Sequence, residues 1–181
     1  GVLSFSLRRG WCGENPVARV DSPSFRERTI AILAPEEIGS LRTVVEAPEF
    51  RDCAPAVWVM LYAGIRPGEV VRLHWRDVDL EERVISVRSR TSKTGGIRHV
   101  TIHAVLWRLL AGYGAGGPAG LLCPPNWPVR WRLLRKKAGW GLHNRFGEWS
   151  ADALRHTYAS YHAKWFRDFS LLQLEMGHRS S

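Results

Sequence analysis

The sequence has few cysteines and no long apolar run. Its three cysteines, Cys12, Cys53 and Cys123, are far apart and form no CxxC pair, which argues against a disulfide framework and against a thiolate zinc site. The longest nearly uninterrupted apolar run, residues 56–65, has ten residues, well short of the ~18 that a membrane span requires. The N-terminus also lacks the pattern of a signal peptide. These absences favour a reducing, cytoplasmic setting and no membrane partner.

Acidic side chains are scarce in one half of the chain only. The 181 residues include 26 Lys and Arg and 17 Asp and Glu, for a net charge of +9. Residues 1–90 hold 13 side chains of each sign, whereas residues 91–181 hold 13 basic side chains and four acids. A surplus confined to one half is typical of a protein that binds a polyanion such as nucleic acid. The alternative is a basic protein with no such partner.

The remaining composition is that of an ordinary globular protein, with 45% hydrophobic and 24% charged residues. A domain of this length buries roughly 70% of its unfolded surface. Residues 1–33 mix Gly, Pro, Ser and Arg without sustained periodicity, and we interpret them as an extended lead-in or linker.

Helix signals begin at Pro35, where a proline and two glutamates precede apolar residues at helical spacing. A second helix is predicted over residues 50–63, ending at Gly64 as a left-handed cap. Pro67 opens a short third helix that extends to about His74. Further helices are predicted at residues 103–110, 129–138, 151–165 (with Ser150 as N-cap) and 169–176 (ending at Gly177).

Between these helices the apolar pattern alternates over residues 84–89 and again over 97–102, on either side of Gly95 and Gly96. Two β-rich runs around a Gly-Gly turn predict a hairpin with Lys93 at or beside its turn. The predicted fold class is therefore α+β, mainly helical, with a small antiparallel sheet.

Basic or imidazole side chains stand at four structural boundaries, where they can converge on one ligand. They are Arg66 between two helices, Lys93 at the hairpin, Arg155 with His156 in a helix, and His178 at a helix end. Each has an ordinary explanation when taken alone. Arg66 could form an ion pair with Glu69 or Asp77, Lys93 could be an exposed charge that solubilises the turn, and His178 could cap a helix.

The four blocks that carry these residues occur together in a characteristic order. They are LYAGIRPGEVVRLHWRDVDLEERVISV from Leu61, SKTGGIRHVTI from Ser92, ALRHTYASY from Ala153 and LEMGH from Leu174. In order and spacing they closely resemble the catalytic domain of the tyrosine recombinases, the phage-integrase family. The resemblance runs from about residue 34 to the last residue. Residues 14–20, ENPVARV, resemble the linker that follows the family's core-type DNA-binding domain.

The resemblance implies a site for the DNA phosphate at which strands are broken. Arg66 and Arg155 match the arginine pair that grips this phosphate, since planar guanidinium forks pair with its charged oxygens. Lys93 matches the general acid that protonates the leaving 5′ oxygen, and His178 matches a phosphate hydrogen-bond donor. Glu69 and His156 are expected to support the arginines. At the position of a family histidine stands Asp152, which can accept a proton or orient Arg155 but cannot donate to phosphate when ionised.

The implied partner is double-stranded DNA, joined by other integrase subunits in a synaptic complex when the protein is full length. No cofactor and no metal are implied, because the arginines supply the charge stabilisation. The setting would be the cytoplasm of a prokaryote or of a phage-infected cell, in association with the nucleoid. The side chains expected to contact DNA are Lys93, Arg98, Arg130, Arg132, Arg135, Lys136 and Lys137.

In the family the nucleophilic tyrosine follows the histidine of the GH motif by roughly nine to ten residues, whereas this sequence has three residues after His178. We therefore expect residues 34–181 to form a shortened catalytic domain that follows a linker remnant and binds DNA without cleaving it. Tyr158 and Tyr161 are expected to be core residues, not substitutes. The absence of the nucleophilic tyrosine would be explained by a shortened copy, by a decayed gene or by a nucleophile that another subunit supplies. A non-catalytic DNA-binding or regulatory relic, and a type IB topoisomerase-like domain, remain alternatives.

Overall fold

The computed structural model describes residues 2–21, 30–88, 96–113, 120–140 and 150–177. Its helices are α1 (Val2–Arg8), α2 (Pro35–Glu46), α3 (Ala54–Tyr62), α4 (Pro67–Val70), α5 (Ala104–Ala111), α6 (Trp127–Lys137), α7 (Ala153–Phe166) and α8 (Phe169–Met176). Its strands are β1 (Val78–Asp79), β2 (Val84–Arg88) and β3 (Ile97–Thr101). The prediction of a mainly helical α+β fold with a small antiparallel sheet is confirmed.

Helix α3 lies at the centre of the core. Its residues from Ala54 to Leu61 are all buried, and it packs against α5 and α7. A helix that is apolar all round is stable only when other elements cover every side. The chain segment that leaves α3 is thereby held in place, and this segment leads to Arg66.

The turn after α3 depends on Gly64. Its φ is +62°, and a Cβ added there would lie 2.5 Å from Cδ1 of Tyr158. Glycine takes up this left-handed conformation without a steric penalty and leaves room for the tyrosine ring. The predicted cap at Gly64 is confirmed, and it brings the start of α4 close to α7.

The sheet has the strand order β1-β2-β3, and both pairings are antiparallel. Strand β3 pairs with β2 in the register Val87↔Arg98 and Ile85↔Val100, and it also contacts α8. The predicted strands are therefore present, together with a short strand β1 that the alternation did not indicate. The predicted hairpin turn falls within residues 89–95, outside the described residues.

Three local predictions are wrong. Residues 2–8 form helix α1, so the interpretation of residues 1–33 as wholly extended does not hold, although α1 has no buried residue. Helix α7 is capped at Asp152, not Ser150: the Ser150 carbonyl accepts a bond from the Ala153 N–H at 3.1 Å, which makes a turn before the helix. The third helix is also shorter than expected and ends at Val70.

Within the described ranges, no helix combines the length and the apolar character needed to cross a membrane.

Candidate functional site

Arg66 lies at the N-terminus of α4, directly after the glycine turn. Pro67 occupies the first helical position, and the Glu69 carboxylate accepts the Arg66 backbone N–H at 3.0 Å. Nη1 of Arg66 also donates to Oε1 of Glu69 at 3.2 Å. The Arg66 side chain is still 38% exposed. One residue, Glu69, thus fixes both the backbone and the side chain of an arginine that reaches solvent.

Glu69 is held still more closely by Arg98 of strand β3. Nη1 and Nη2 of Arg98 donate to the two oxygens of Glu69, each at 2.7 Å, and Nε donates to the Glu175 carbonyl at 2.7 Å. The Arg98 side chain is 13% exposed. We expected Arg98 to contact DNA. The structure instead turns its guanidinium inward, where the fork geometry of arginine matches a carboxylate.

Arg155 reaches the same region from α7 and is 4% exposed. Its Nη1 donates to the Gly64 carbonyl, and its Nη2 donates to the Met176 carbonyl at 2.6 Å. These bonds tie the turn before α4 to the end of α8. They use two of the five N–H donors of a guanidinium.

The charges at this place are predominantly positive. Burial, together with the nearby charges of Arg66 and Arg98, lowers the pKa of Arg155 to about 10, so the side chain remains a cation at pH 7. Although burial alone would raise it, the bonds from Arg98 and the Arg66 N–H hold the pKa of Glu69 at about 2. Three guanidiniums outnumber the carboxylates of Glu69 and Asp152 that act on them, so the site favours an anion.

The end of α8 approaches the same arginines. Gly177 has φ +64°, and a Cβ at this position would lie 3.2 Å from Cδ of Arg98 and 3.5 Å from Nη1 of Arg66. The next residue is His178, which lies outside the described residues, as does Lys93. Their predicted places in the site therefore stay predictions.

The two remaining predicted site residues lie at the start of α7. Asp152 is half-buried at the N-cap, where its charge raises the pKa of Arg155 against the larger effects that lower it. The His156 N–H donates to the Asp152 carbonyl at 2.8 Å, and the ring atom Nδ1 of His156 is buried without a hydrogen-bond partner among the described residues. Asp152 and His156 therefore lie with Arg155 in the first turns of α7.

The basic residues of helix α6 divide into two groups. Arg130 donates to the Asp52 carboxylate at 2.5 Å, and Lys137 forms an ion pair with Glu49. By contrast, Arg132 and Lys136 are exposed, and no ion pair joins either to another described residue. Arg135 is half-buried, and its guanidinium lies 5.7 Å from the centre of the Trp131 ring.

Comparison with known proteins identifies the arrangement. A model of the phage integrase family matches residues 32–113. The tyrosine recombinase XerC of Xanthomonas axonopodis pv. citri (strain 306) is 27% identical over 95% of this chain and 58% of its own length. Residues 32–113 are thus similar to the phage integrase family, and nearly the whole chain is similar to a tyrosine recombinase.

Another relative is the putative defective protein IntQ of Escherichia coli (strain K12). It is 31% identical over 93 residues, which are 51% of this chain and 22% of that protein. The chain thus covers well under two thirds of the length of either relative.

Solved structures share the fold. The Tn1549 transposon integrase, in complex with transposon right end DNA, matches with a TM-score of 0.71 and 18% identity over 98% of this chain and 68% of its own. The catalytic domain of bacteriophage HP1 integrase matches with a TM-score of 0.64 and 20% identity, over 84% of this chain and 83% of its own. The chain therefore has the fold of a tyrosine recombinase catalytic domain.

Sequence reasoning missed the inward orientation of Arg98. The signal was available, because Arg98 lies two residues before the buried Val100 on an alternating strand and so shares its face.

A separate group, formed by His103, His162 and Glu175, has the residue types and the spacing to hold a metal ion.

Proposed function

We propose that this chain is the DNA-binding catalytic part of a site-specific tyrosine recombinase. The full-length enzyme would break and rejoin DNA through a 3′-phosphotyrosyl intermediate, within a synaptic complex of several subunits. One observation carries the proposal: Arg155 donates to the carbonyl of Gly64, two residues before Arg66, and the charge of Arg66 lowers the pKa of Arg155. Glu69 and Arg98 fix Arg66, the exposed arginine of the two. The relatives support it, since they include a tyrosine recombinase and an integrase in complex with DNA.

The proposed roles follow from the charge that develops during strand transfer. A pentacoordinate phosphorane carries more negative charge on its non-bridging oxygens than the starting diester, and preorganised guanidiniums stabilise that charge. Arg66 would donate from its exposed end. Arg155, anchored by two carbonyls, would donate through the N–H groups that these two bonds do not use. Both are held before DNA arrives, so little ordering remains to be done on binding.

The other predicted residues complete the proposal. Lys93 would protonate the leaving 5′ oxygen, and His178 would bind the phosphate from the side of α8. Asp152 and His156 would orient Arg155 at the start of α7.

Because a general acid must give up its proton to the leaving group, Lys93→Ala should slow cleavage without weakening duplex binding to the same degree.

Strand cleavage tests the assignment of the two arginines. The longest natural reading frame that contains residues 1–181 would be incubated with nicked duplexes tiled across the DNA that flanks its gene. We expect a covalent protein–DNA adduct, with Arg66→Ala and Arg155→Ala each reducing its rate by about 100-fold or more, as loss of a transition-state donor does. Duplex binding should change little.

The exposed Arg76 provides a matched control, because Arg76→Ala removes an arginine to which the proposal gives no role. Unchanged adduct formation in Arg66→Ala and Arg155→Ala would overturn the assignment. Binding without any adduct from the natural frame would instead support the interpretation as a DNA-binding relic. For residues 1–181 alone, we predict duplex binding and no adduct.

A further inference from the structure

A second cluster of polar side chains lies where α5, α7 and α8 come together. It consists of His103 at the N-cap of α5, His162 in α7 and Glu175 in α8. One ligand atom from each lies within 4.8 Å of the other two. His162 and Glu175 are each 3% exposed, and His103 is half-buried. The three residues are far apart in the chain, so folding alone brings them together.

The imidazoles of this cluster lack hydrogen-bond partners. Nε2 of His103 and both ring nitrogens of His162 are buried and make no hydrogen bond to any described residue. Their close neighbours are aromatic: the Phe166 ring centre lies 4.9 Å from that of His103 and 4.7 Å from that of His162. A buried polar group without a partner is costly and rare. Each imidazole therefore has a lone pair available to a ligand.

The carboxylate of the cluster lacks a countercharge. Oε1 of Glu175 accepts the Thr101 N–H at 2.9 Å, and Oε2 accepts the Tyr158 hydroxyl at 3.2 Å. None of the ion pairs among the described residues includes Glu175. Burying an ionised carboxylate is unfavourable unless a cation accompanies it. Two imidazole lone pairs and one carboxylate at a single place are suited to a metal cation.

We propose that His103, His162 and Glu175 bind one divalent transition metal ion of the zinc class. Two histidines and one glutamate are an established ligand set for Zn²⁺, whose bonds to nitrogen and oxygen of about 2.1 Å place tetrahedral ligands about 3.4 Å apart. Because the ligand atoms lie within 4.8 Å of one another, the cluster has to contract by at most about 1.4 Å to reach that spacing. A cavity of about 310 Å³, lined by both histidines, gives the imidazoles room to rotate.

The surroundings suit this ligand set. The Thr101 N–H and the Tyr158 hydroxyl orient the carboxylate, as the outer partners of metal ligands do. Mg²⁺ and Ca²⁺ prefer oxygen ligands, so neither is expected to bind.

A metal ion here would stabilise the anchors of the arginines. The Glu175 carbonyl accepts Nε of Arg98, and the neighbouring Met176 carbonyl accepts Nη2 of Arg155. The ion would therefore tie α8 to α7 and to the start of α5 at the position where α8 holds both guanidiniums. The proposal does not depend on DNA recombination, and its test involves no DNA.

The test is metal titration of residues 1–181, purified without a histidine tag and stripped with chelator. We expect one equivalent of Zn²⁺ by calorimetry, a rise in Tm with Zn²⁺ but not with Mg²⁺, and visible Co²⁺ absorption bands of a low-symmetry site. His162→Gln and Glu175→Gln should each weaken Zn²⁺ affinity by at least about 100-fold, more than loss of an outer partner does.

His99→Gln is the matched control, since this histidine is exposed on strand β3, which contacts α8. It should bind Zn²⁺ as the parent does. Glu175→Gln keeps an acceptor for the Thr101 N–H and so guards against simple unfolding, which circular dichroism would reveal. The proposal would be overturned if the protein bound no Zn²⁺ at micromolar concentration. It would also be overturned if His162→Gln and Glu175→Gln both bound Zn²⁺ as tightly as the parent does.

Discussion

At the scale of single residues, the orientation of Arg98 explains the geometry around Arg66. Arg98 pairs with both oxygens of Glu69, and Glu69 in turn holds the backbone and the side chain of Arg66. An arginine that appears in the sequence as one more basic residue of the basic half thus acts through a carboxylate. These bonds are those of a positioning residue for Arg66, and the contact of Arg98 with DNA stays a prediction.

This role predicts a large effect on stability. Arg98→Ala should lower the free energy of unfolding by about 3 kcal/mol, because it leaves the mostly buried Glu69 carboxylate without its strongest partner. Urea denaturation would measure the change. Arg88→Ala is the control: this side chain is 72% exposed and 3.9 Å from Asp77, so its loss should cost under about 1 kcal/mol. Equal effects of the two substitutions would contradict the assignment.

The Glu69 carboxyl predicts a pH dependence with a definite sign. Its pKa of about 2 in the folded protein lies below the ordinary value of 4.5, so its ionised form stabilises the fold above pH 4.5. That contribution should disappear as the pH falls from 4.5 towards 2. Wild type should exceed Glu69→Gln in unfolding free energy at pH 7, and the gap should shrink by the order of 3 kcal/mol at low pH. A gap independent of pH would contradict this account.

The ion pair between Arg66 and Glu69 could be predicted from the sequence, but the contacts of Arg98 and Glu175 could not. The motif around Arg66 and Glu69 indicated an ion pair, and the structure shows that pair. In contrast, the place of Arg98 depends on which strand face packs inward, and that of Glu175 on how α8 docks against β3. Pairings across such long stretches of chain leave no periodic signal in the sequence.

At the scale of elements, the glycine turn between α3 and α4 is the structural requirement of the site. Gly64→Ala would place a methyl group against the Tyr158 ring in a left-handed conformation. We expect it to destabilise the protein by about 2 to 3 kcal/mol. Gly39→Ala lies inside α2 with nothing within 4 Å of the added Cβ, and should stabilise by up to about 1 kcal/mol. Thermal or urea unfolding distinguishes the two, and a neutral Gly64→Ala would refute this account of the turn.

Helix α6 yields a prediction about DNA binding. Arg132 and Lys136 are exposed without ion pairs to other described residues, whereas Lys137 is paired with Glu49. The double substitution Arg132→Ala with Lys136→Ala should weaken duplex binding and reduce the salt slope by about 0.9 for each phosphate that is no longer neutralised. Fluorescence anisotropy would measure both. Lys137→Ala should weaken duplex binding less than the double substitution does. A larger loss of affinity in Lys137→Ala would show that another face of α6 contacts DNA.

The sequence predicted most elements but not all of their ends. Strong helix signals, such as Pro35 followed by two glutamates, located α2 correctly. Helix α1 was missed because it has no buried face to produce a periodic pattern. Ser150 is a good capping residue by type, yet the turn formed by residues 150–153 delays the helix, and the start of α7 follows this tertiary geometry.

At the scale of the whole molecule, the positive surplus of the second half of the chain can be compared with the positions of its few acidic side chains. Residues 91–181 hold 13 basic side chains and four acids. One of those acids, Glu175, is buried, and another, Asp168, caps α8 by accepting the Leu171 N–H. The acids of the second half therefore offset little of the positive field that a DNA phosphate backbone would meet.

The central claim, that this chain holds a DNA backbone through its basic groups, is tested most directly by duplex binding of residues 1–181 across a series of salt concentrations. We predict that the logarithm of the association constant falls linearly with the logarithm of salt concentration, with a slope of about 0.9 for each phosphate contacted. An affinity independent of salt concentration, or no binding at low salt, would contradict it.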